Sequence, residues 1–477
     1  MRPLGFRLLA VIACCLCALS SCKPSEPETP PEPEDRALKD KYGITYIYEG
    51  GGIPEVHVCV PIDQWNSLLK AYDANAHTKT SVKCDVRFVK DGETTEITEA
   101  GIRLKGNTSR RRPEGSAGRM HSTSGKTDWH HCHYQINFKK FVDDDAHKLH
   151  GAGKIALKWF KDDAAYVREL YCYDLFRRAG VWTAINDVYC RLYIKIEGDA
   201  SETYLGVYEL MEPIDKTYLK VRGGEDKFGG SGGNLWKCSS GANLNTVNAD
   251  FGPDLDTDDE YVYELKTNTK SFDAATEQLK DFITKLNSLK GDVFRLWFSD
   301  ICDVELLLRT YAVNVAVGMW DDYWNNGNNY YLYFSSTDPQ SYKVWFIPYD
   351  YDNTLGTTLN CGVQDDAVRH DPYNWGLKNN RLISRLLEYK DYRDIYTRAL
   401  LELADGSKGL LSASHSMGRI KVWQSSISSF VANDTGEDCV IADRPAPWGN
   451  HGEYRLLSGG ANNYFNAKIE SITQYCK

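Results

Sequence analysis

The chain has 477 residues, a formal net charge of -10 and 42% hydrophobic residues, which is ample for a large core and exceeds one domain of ordinary size. The mild acidity, with no basic cluster larger than Arg110-Arg111-Arg112, argues against nucleic acid as a partner. Beyond Cys22 no cysteines fall into C-x-x-C pairs or zinc-site spacing, so Cys172 and Cys302, set in apolar helical patterns, read as buried small hydrophobes.

In chain order, Arg2 and Arg7 precede an apolar run, 8–19, that is too short to span a bilayer and has the layout of a secretory signal. It ends in Leu19-Ser20-Ser21-Cys22, which resembles a bacterial lipobox. The reading is a lipoprotein signal peptide over 1–22, lipidation at Cys22, and a membrane anchor in the bacterial cell envelope, on its periplasmic or surface face. A tether over 23–40 follows. Five prolines and five acidic residues between 23 and 36 leave it too little apolar surface to fold.

From 41 to 222 the chain is strand-rich. Alternating burial patterns predict strands at 55–60, 83–90, 100–105, 133–138, 154–160, 189–196 and 204–211, with helices at 62–71 and 164–179. In the second helix Val167, Leu170, Tyr171 and Leu175 form one stripe, and Gly180 stops it. Six glycines in 223–233 suggest a mobile joint. From 223 to 477 the chain is helix-rich, with an acidic loop at 250–260, helices at 274–289, 303–317, 381–403 and 410–428, and a single two-strand break at 330–334 and 344–347. The expected fold class is α+β, with a strand-rich and a helix-rich half.

The two-strand break carries the chemistry. Asp321-Asp322 and Asn328-Asn329 precede its first strand, and Asp350 and Asp352 follow its second, so a hairpin delivers both clusters to one edge. Carboxylate and amide oxygens suit a hard divalent cation such as Mg2+, completed by water and phosphate oxygens. Asn329, Asp350 and Asp352 are the candidate metal ligands, and Asp321 or Asp322 is a carboxylate that could accept a proton from an attacking hydroxyl.

The run from that apolar helix through Asn329-Tyr-Tyr-Leu-Tyr333 to Ile347-Pro-Tyr-Asp350-x-Asp352-x-x-x-Gly356 resembles the CotH kinase family, named for a spore-coat protein. The resemblance implies a two-lobed protein-kinase-like fold that binds ATP with Mg2+, or with Mn2+ or Ca2+ in its place. Asp350 matches the kinase metal-binding aspartate and Asn329 the metal-ligand amide. Protein kinases place the amide five residues after the catalytic aspartate, whereas Asp322 and Asp321 precede Asn329 by seven and eight; both remain candidates. Further matches follow the family's order. Gly101 to Arg110 matches a strand and a phosphate-covering loop, with Ser109 and Arg110 as donors. Lys158 matches the phosphate-binding lysine. Arg168 and Glu169 open the helix that would orient it, the family commonly having Asn in place of Glu169. Tyr204-x-Gly206-x-Tyr208 to Glu212-x-x-Asp215 matches the last strand of the small lobe and its hinge, which puts Glu212 beside the nucleotide. The implied activity is Ser/Thr phosphorylation of a secreted or surface protein. The alternative is a catalytically inactive surface lipoprotein that binds glycan or protein through its many Trp and Tyr residues.

Overall fold

The computed structural model describes residues 43–124, 128–357, 366–377, 379–446 and 454–477. The signal peptide, Cys22 and the tether therefore lie outside the described residues. The fold is α+β, and its first half closes on itself.

After a short helix α1 (Ile44–Tyr48), strand β1 (Glu55–Val60) and helix α2 (Ile62–Ala74), the chain forms β2 (Val82–Lys90), β3 (Glu93–Lys105), β4 (His133–Asn137) and β5 (Lys154–Lys158). Helix α3 (Arg168–Arg178) leads to β6 (Asp187–Ile196) and β7 (Thr203–Met211). These strands make a closed barrel in the order β1-β2-β3-β4-β5-β7-β6, sealed by parallel pairing of β6 with β1. Closure removes the exposed edges that an open sheet would leave.

Strand alternation then sorts the side chains. Ile155, Leu157, Tyr208 and Leu210 fill the barrel, while Ala156 and Met211 belong to the other core, which they share with α3. Lys158 and Glu209, in step with those outer positions, therefore lie between barrel and helix.

The second half opens with α4 (Lys216–Val221) and continues through β8 (Asn234–Cys238), β9 (Phe251–Pro253), β10 (Tyr263–Leu265), α5 (Phe272–Ser288), α6 (Gly291–Ile301), α7 (Val304–Ala316) and the single turn α8 (Tyr323–Asn326). Then come β11 (Tyr330–Phe334), β12 (Val344–Pro348), α9 (Arg381–Leu386), α10 (Lys390–Ala404), α11 (Ala413–Ile427) and α12 (Tyr464–Tyr475).

Three expectations change here. The two-strand break belongs to a five-stranded sheet, β12-β11-β8-β10-β9; β9 and β10, three residues each, are too short to show a periodicity. The six-glycine segment is a turn packed on that sheet, not a free joint. A Cβ on Gly233 would stand 1.8 Å from the Phe334 carbonyl oxygen, and the Tyr333 hydroxyl donates to Gly230 O at 2.9 Å. Finally, the helix expected from 164 starts at Arg168, because the Asp163 carboxylate accepts the Val167 and Arg168 amides, both at 2.8 Å, and holds 163–167 as a turn.

The segment after α11 returns to the barrel. Arg111 makes a two-pronged pair with Glu437, both contacts at 2.9 Å. Tyr204 N donates to Asp434 at 2.7 Å, and Ala442 N donates to Ala164 O at 2.8 Å. The two halves are thus tied by these contacts as well as by the connecting segment 212–215.

Candidate active site

Lys158 ends β5 on the outer face of the barrel, and Glu169 lies in the first turn of α3, which packs there. The Lys158 ammonium sits 2.5 Å from Glu169 Oε2, 2.5 Å from Asp350 Oδ1 and 3.1 Å from Asp352 Oδ2. Glu169 also accepts from Tyr351 N at 3.1 Å and the Tyr173 hydroxyl at 3.4 Å, and Asp350 N donates to the Tyr173 oxygen at 3.0 Å. Residues one helical turn apart on α3 therefore hold the Asp-x-Asp segment against the lysine.

Burial alone would lower the Lys158 pKa, but the carboxylates of Asp350, Asp352 and Glu169 outweigh it and raise it well above the ordinary value. The lysine stays charged. Burial pulls the Asp350 carboxyl up, and Lys158 more than reverses it, so Asp350 stays ionised. Asp352 is pushed up to about 7 by burial, against the opposing pull of Lys158.

The hairpin register explains how the second cluster arrives. Tyr330 pairs with Pro348, so Asn329, just before β11, and Asp350, just after β12, emerge at the same end. Both take left-handed backbone conformations, φ 52° and 64°, which turn them out of the strand direction.

Asp321 is ringed by amides. Its Oδ1 accepts from Asn326 Nδ2 at 2.6 Å and Asn328 Nδ2 at 3.0 Å, and its Oδ2 accepts from Asn329 Nδ2 at 3.1 Å. The long Asp-to-Asn spacing is absorbed by α8. Asp322 caps it by accepting Asn325 N at 2.9 Å, and Gly327, at φ 58°, ends it in the left-handed region. The extra residues coil into one turn, and Asn329 comes back to Asp321.

This geometry separates two aspartates that the sequence leaves equivalent. Asp321 lines a cavity of about 1600 Å³, whereas Asp322 is only 3% exposed and lies behind it. Asp322 accepts from Asn314, whose Oδ1 takes the Tyr351 hydroxyl at 2.6 Å. Its role is to cap α8 and hold Asn314, not to face a substrate.

Burial, opposed by the Asn325 amide and Asn314, lifts the Asp322 carboxyl to about 7. Between the ordinary carboxylate value and about pH 7 the folded chain keeps this proton and the unfolded chain loses it, so stability falls as pH rises across that window. The expected contribution is on the order of 3–4 kcal/mol. Denaturant unfolding across that pH range should show the slope, and Asp322→Asn should remove this part of it.

The same cavity is lined by Ser109, Arg110, Lys158, Glu212, Asn329, Asp350 and Asp352. Arg110 is folded back, with Nε on Gly106 O at 2.7 Å and Nη1 on Thr78 O at 2.6 Å, so it shapes the 106–110 loop and its guanidinium is largely engaged. The carboxylate of Glu212 is also engaged. Both its oxygens accept from Arg222 at 2.8 Å, and one accepts from Asn186 N at 3.0 Å; it locks the connecting segment rather than presenting a charge to a ligand. Arg168 does not line the cavity. It is 1% exposed and binds Asp163 and, at 3.0 Å, Arg444 O, which ties α3 to the returning C-terminal segment.

One oxygen each from Glu169, Asp350 and Asp352 lie within 4.8 Å of one another. Oxygen donors without thiolate fit a hard cation. Because Lys158 stands among them and Glu169 is engaged by it, the donors best placed for a cation are Asp350 and Asp352, with the Asn329 amide at the same hairpin end.

The family model described as CotH kinase protein matches residues 102–477, from within β3 to the C-terminus. The chain belongs to the CotH kinase family. A comparison with curated proteins gave no match. In this CotH protein the matched region holds every one of the residues gathered around the cavity above, while β1, α2 and β2 complete the barrel ahead of it.

Several CotH site residues escape sequence reading. Lys105 donates to the Tyr349 hydroxyl at 2.9 Å, joining the barrel to the hairpin end. His133, held neutral by burial and the nearby Lys158 and Lys105 charges, accepts Trp159 N at 3.0 Å. Lys105 lies inside the Gly101 to Arg110 match without being marked by it, and His133 has no local motif. Asn326 and Asn328 stand in the acidic-amide run, and Asn-rich spacing after an aspartate is the signal that could have marked them as its holders.

Proposed function

We propose that this protein is an atypical kinase that transfers the γ-phosphoryl group of ATP to a Ser or Thr hydroxyl of a secreted or surface protein. The observation that carries this reading is the convergence of Lys158, Asp350 and Asp321 on one cavity, with Lys158 fixed by Glu169. On the same reading the barrel and the helix-rich half are the two lobes of a protein-kinase-like fold. The nucleotide lies between them, along the hinge 212–215 and under the 106–110 loop.

Phosphoryl transfer asks the protein mainly for positioning and charge neutralisation. Lys158 supplies a fixed positive charge for phosphate oxygens. Asp350, Asp352 and Asn329 would hold Mg2+, which when bound neutralises phosphate charge. Asp321 accepts the proton of the attacking hydroxyl. Burial raises its carboxyl and the ring of Asn amides partly offsets this, so it is a stronger base than a free aspartate. Ser109 lies on the loop that would cover the phosphates. Lipidation at Cys22 would keep this chemistry in the cell envelope.

The test is incorporation of γ-phosphate from ATP into the protein itself and into co-expressed envelope proteins, read by mass spectrometry with Mg2+, Mn2+ or Ca2+. Incorporation by the wild type that is lost in Asp350→Ala supports the kinase. Equal traces in both would sink it and favour an inactive binding lipoprotein.

A further inference from the structure

Behind Lys158, away from the cavity, lie two buried carboxyl groups that the proposed chemistry does not use. On the outer face of the barrel Glu209 in β7 stands directly opposite Lys158 in β5 and Tyr189 in β6. Asp187, two residues before Tyr189, shares that face. Glu209 is 2% exposed and Asp187 6%. Glu209 Oε1 and Asp187 Oδ2 receive no donor among the described residues, although the two residues are diagonal neighbours on adjacent strands of one face. Two ionised carboxylates have only acceptors to offer each other, so burying them side by side calls for a proton between them.

We propose that Glu209 and Asp187 share one proton, and that the neutral Glu209 carboxyl is a positioning residue that leaves the Lys158 ammonium turned toward the cavity. The proposal rests on Lys158 being the phosphate-binding lysine. Asp187 is the ionised member. Its Oδ1 accepts from Arg177 Nη1 at 2.9 Å, which fixes its charge, whereas Glu209 has no such partner among the described residues. The groups facing Glu209 agree. From α3 come Glu169, Cys172 and Tyr173; from β6, Asp187 and Tyr189; from β5, Lys158. Only Lys158 among them is cationic, and three other carboxylates already contact it.

Burial, then Glu169 and Asp187, push the Glu209 carboxyl well above its usual range. Asp187 rises only to about 6, its burial offset by Arg177. Were Glu209 ionised, a fourth carboxylate with no other donor would compete for the ammonium from behind and add a negative charge beneath the phosphates. A second cavity of about 690 Å³ lies beside Arg177 and Asp187, but the Asp187 side chain itself is closed to solvent.

The experiment uses the full chain in two arms. Infrared difference spectroscopy between wild type and Glu209→Gln at neutral pH should show one protonated-carboxyl band lost in the variant. An unchanged carboxyl region overturns the shared proton, whatever the enzyme does. The second arm is the pH profile of KM for ATP, with kcat measured alongside. In the wild type KM should rise at alkaline pH, and Glu209→Gln should flatten that rise. Asp187→Asn offers an amide donor that lets Glu209 ionise, so it should bring the rise down to neutral pH, roughly tenfold, the size of one added like-charge interaction. A purely structural role predicts equal, pH-independent losses from both substitutions, and that result overturns the positioning role. Absence of phosphate transfer in all proteins overturns the kinase reading while leaving the infrared result to decide the proton.

Discussion

Asp321→Asn is expected to slow phosphate transfer by about 10²- to 10⁴-fold, the usual worth of a positioned general base, and to leave KM for ATP within about threefold. Asn326 and Asn328 donate to one oxygen of the side chain and Asn329 to the other, so an amide of the same shape keeps the first two contacts through its oxygen, loses the one from Asn329, and cannot take a proton. Asp322→Asn is the informative partner. That carboxyl is buried behind the cavity wall, bonded to Asn325 N and Asn314, so its replacement should alter the pH dependence of stability and spare transfer. Single-turnover measurement on the three proteins decides between the aspartates. A large loss in Asp322→Asn with none in Asp321→Asn would reverse the assignment.

The largest stability effect is expected at Asp163, a buried acid that does not itself line the cavity. Asp163→Ala removes the only carboxylate bonded to Arg168 among the described residues, and Arg168 is 1% exposed; breaking a buried pair from one side costs about 3–5 kcal/mol. It also deletes the acceptor for the first amides of α3, worth about 1 kcal/mol more. Because α3 carries Glu169, ATP affinity should weaken as well. Guanidinium unfolding measures the first effect and a nucleotide titration the second. In the double variant with Arg168→Met no charge is left stranded, so a good part of the loss should return. If it does not, the helix cap, and not the ion pair, dominates.

Much of the site is legible in the sequence because its residues lie close to strong local patterns. Asn329 and Asp350 flank two aromatic strands whose pairing any hairpin would produce, and Lys158 ends a short apolar strand of five residues. Three of the expected ligand residues are engaged within the protein: Arg168 and Asp322, which do not line the cavity, and Glu212, which lines it with its carboxylate already bonded. Arg222 takes Glu212, Asp163 and Arg444 O take Arg168, and Asn314 takes Asp322. A charged side chain looks the same in sequence whether it faces a cavity or a buried partner. The apolar pattern starts α3 four residues early for a similar reason, since its stripe runs on while Asp163 captures the first free amides.

By itself the sequence determined the α+β class, the family, and the hairpin that carries the acidic clusters, because strand alternation, helix stripes and motif spacing are local and survive without knowledge of the fold. Only the tertiary structure decided that the first strands close into a barrel, since closure depends on β1 meeting β6 across more than a hundred residues. It alone decided that the long Asp-to-Asn spacing is wound into one helical turn, which puts Asp321 on the cavity and Asp322 behind it. It also brought Glu209 and Asp187 together behind Lys158. Long-range pairing and burial set the charge and direction of each side chain there, and neither is written in the order of the residues.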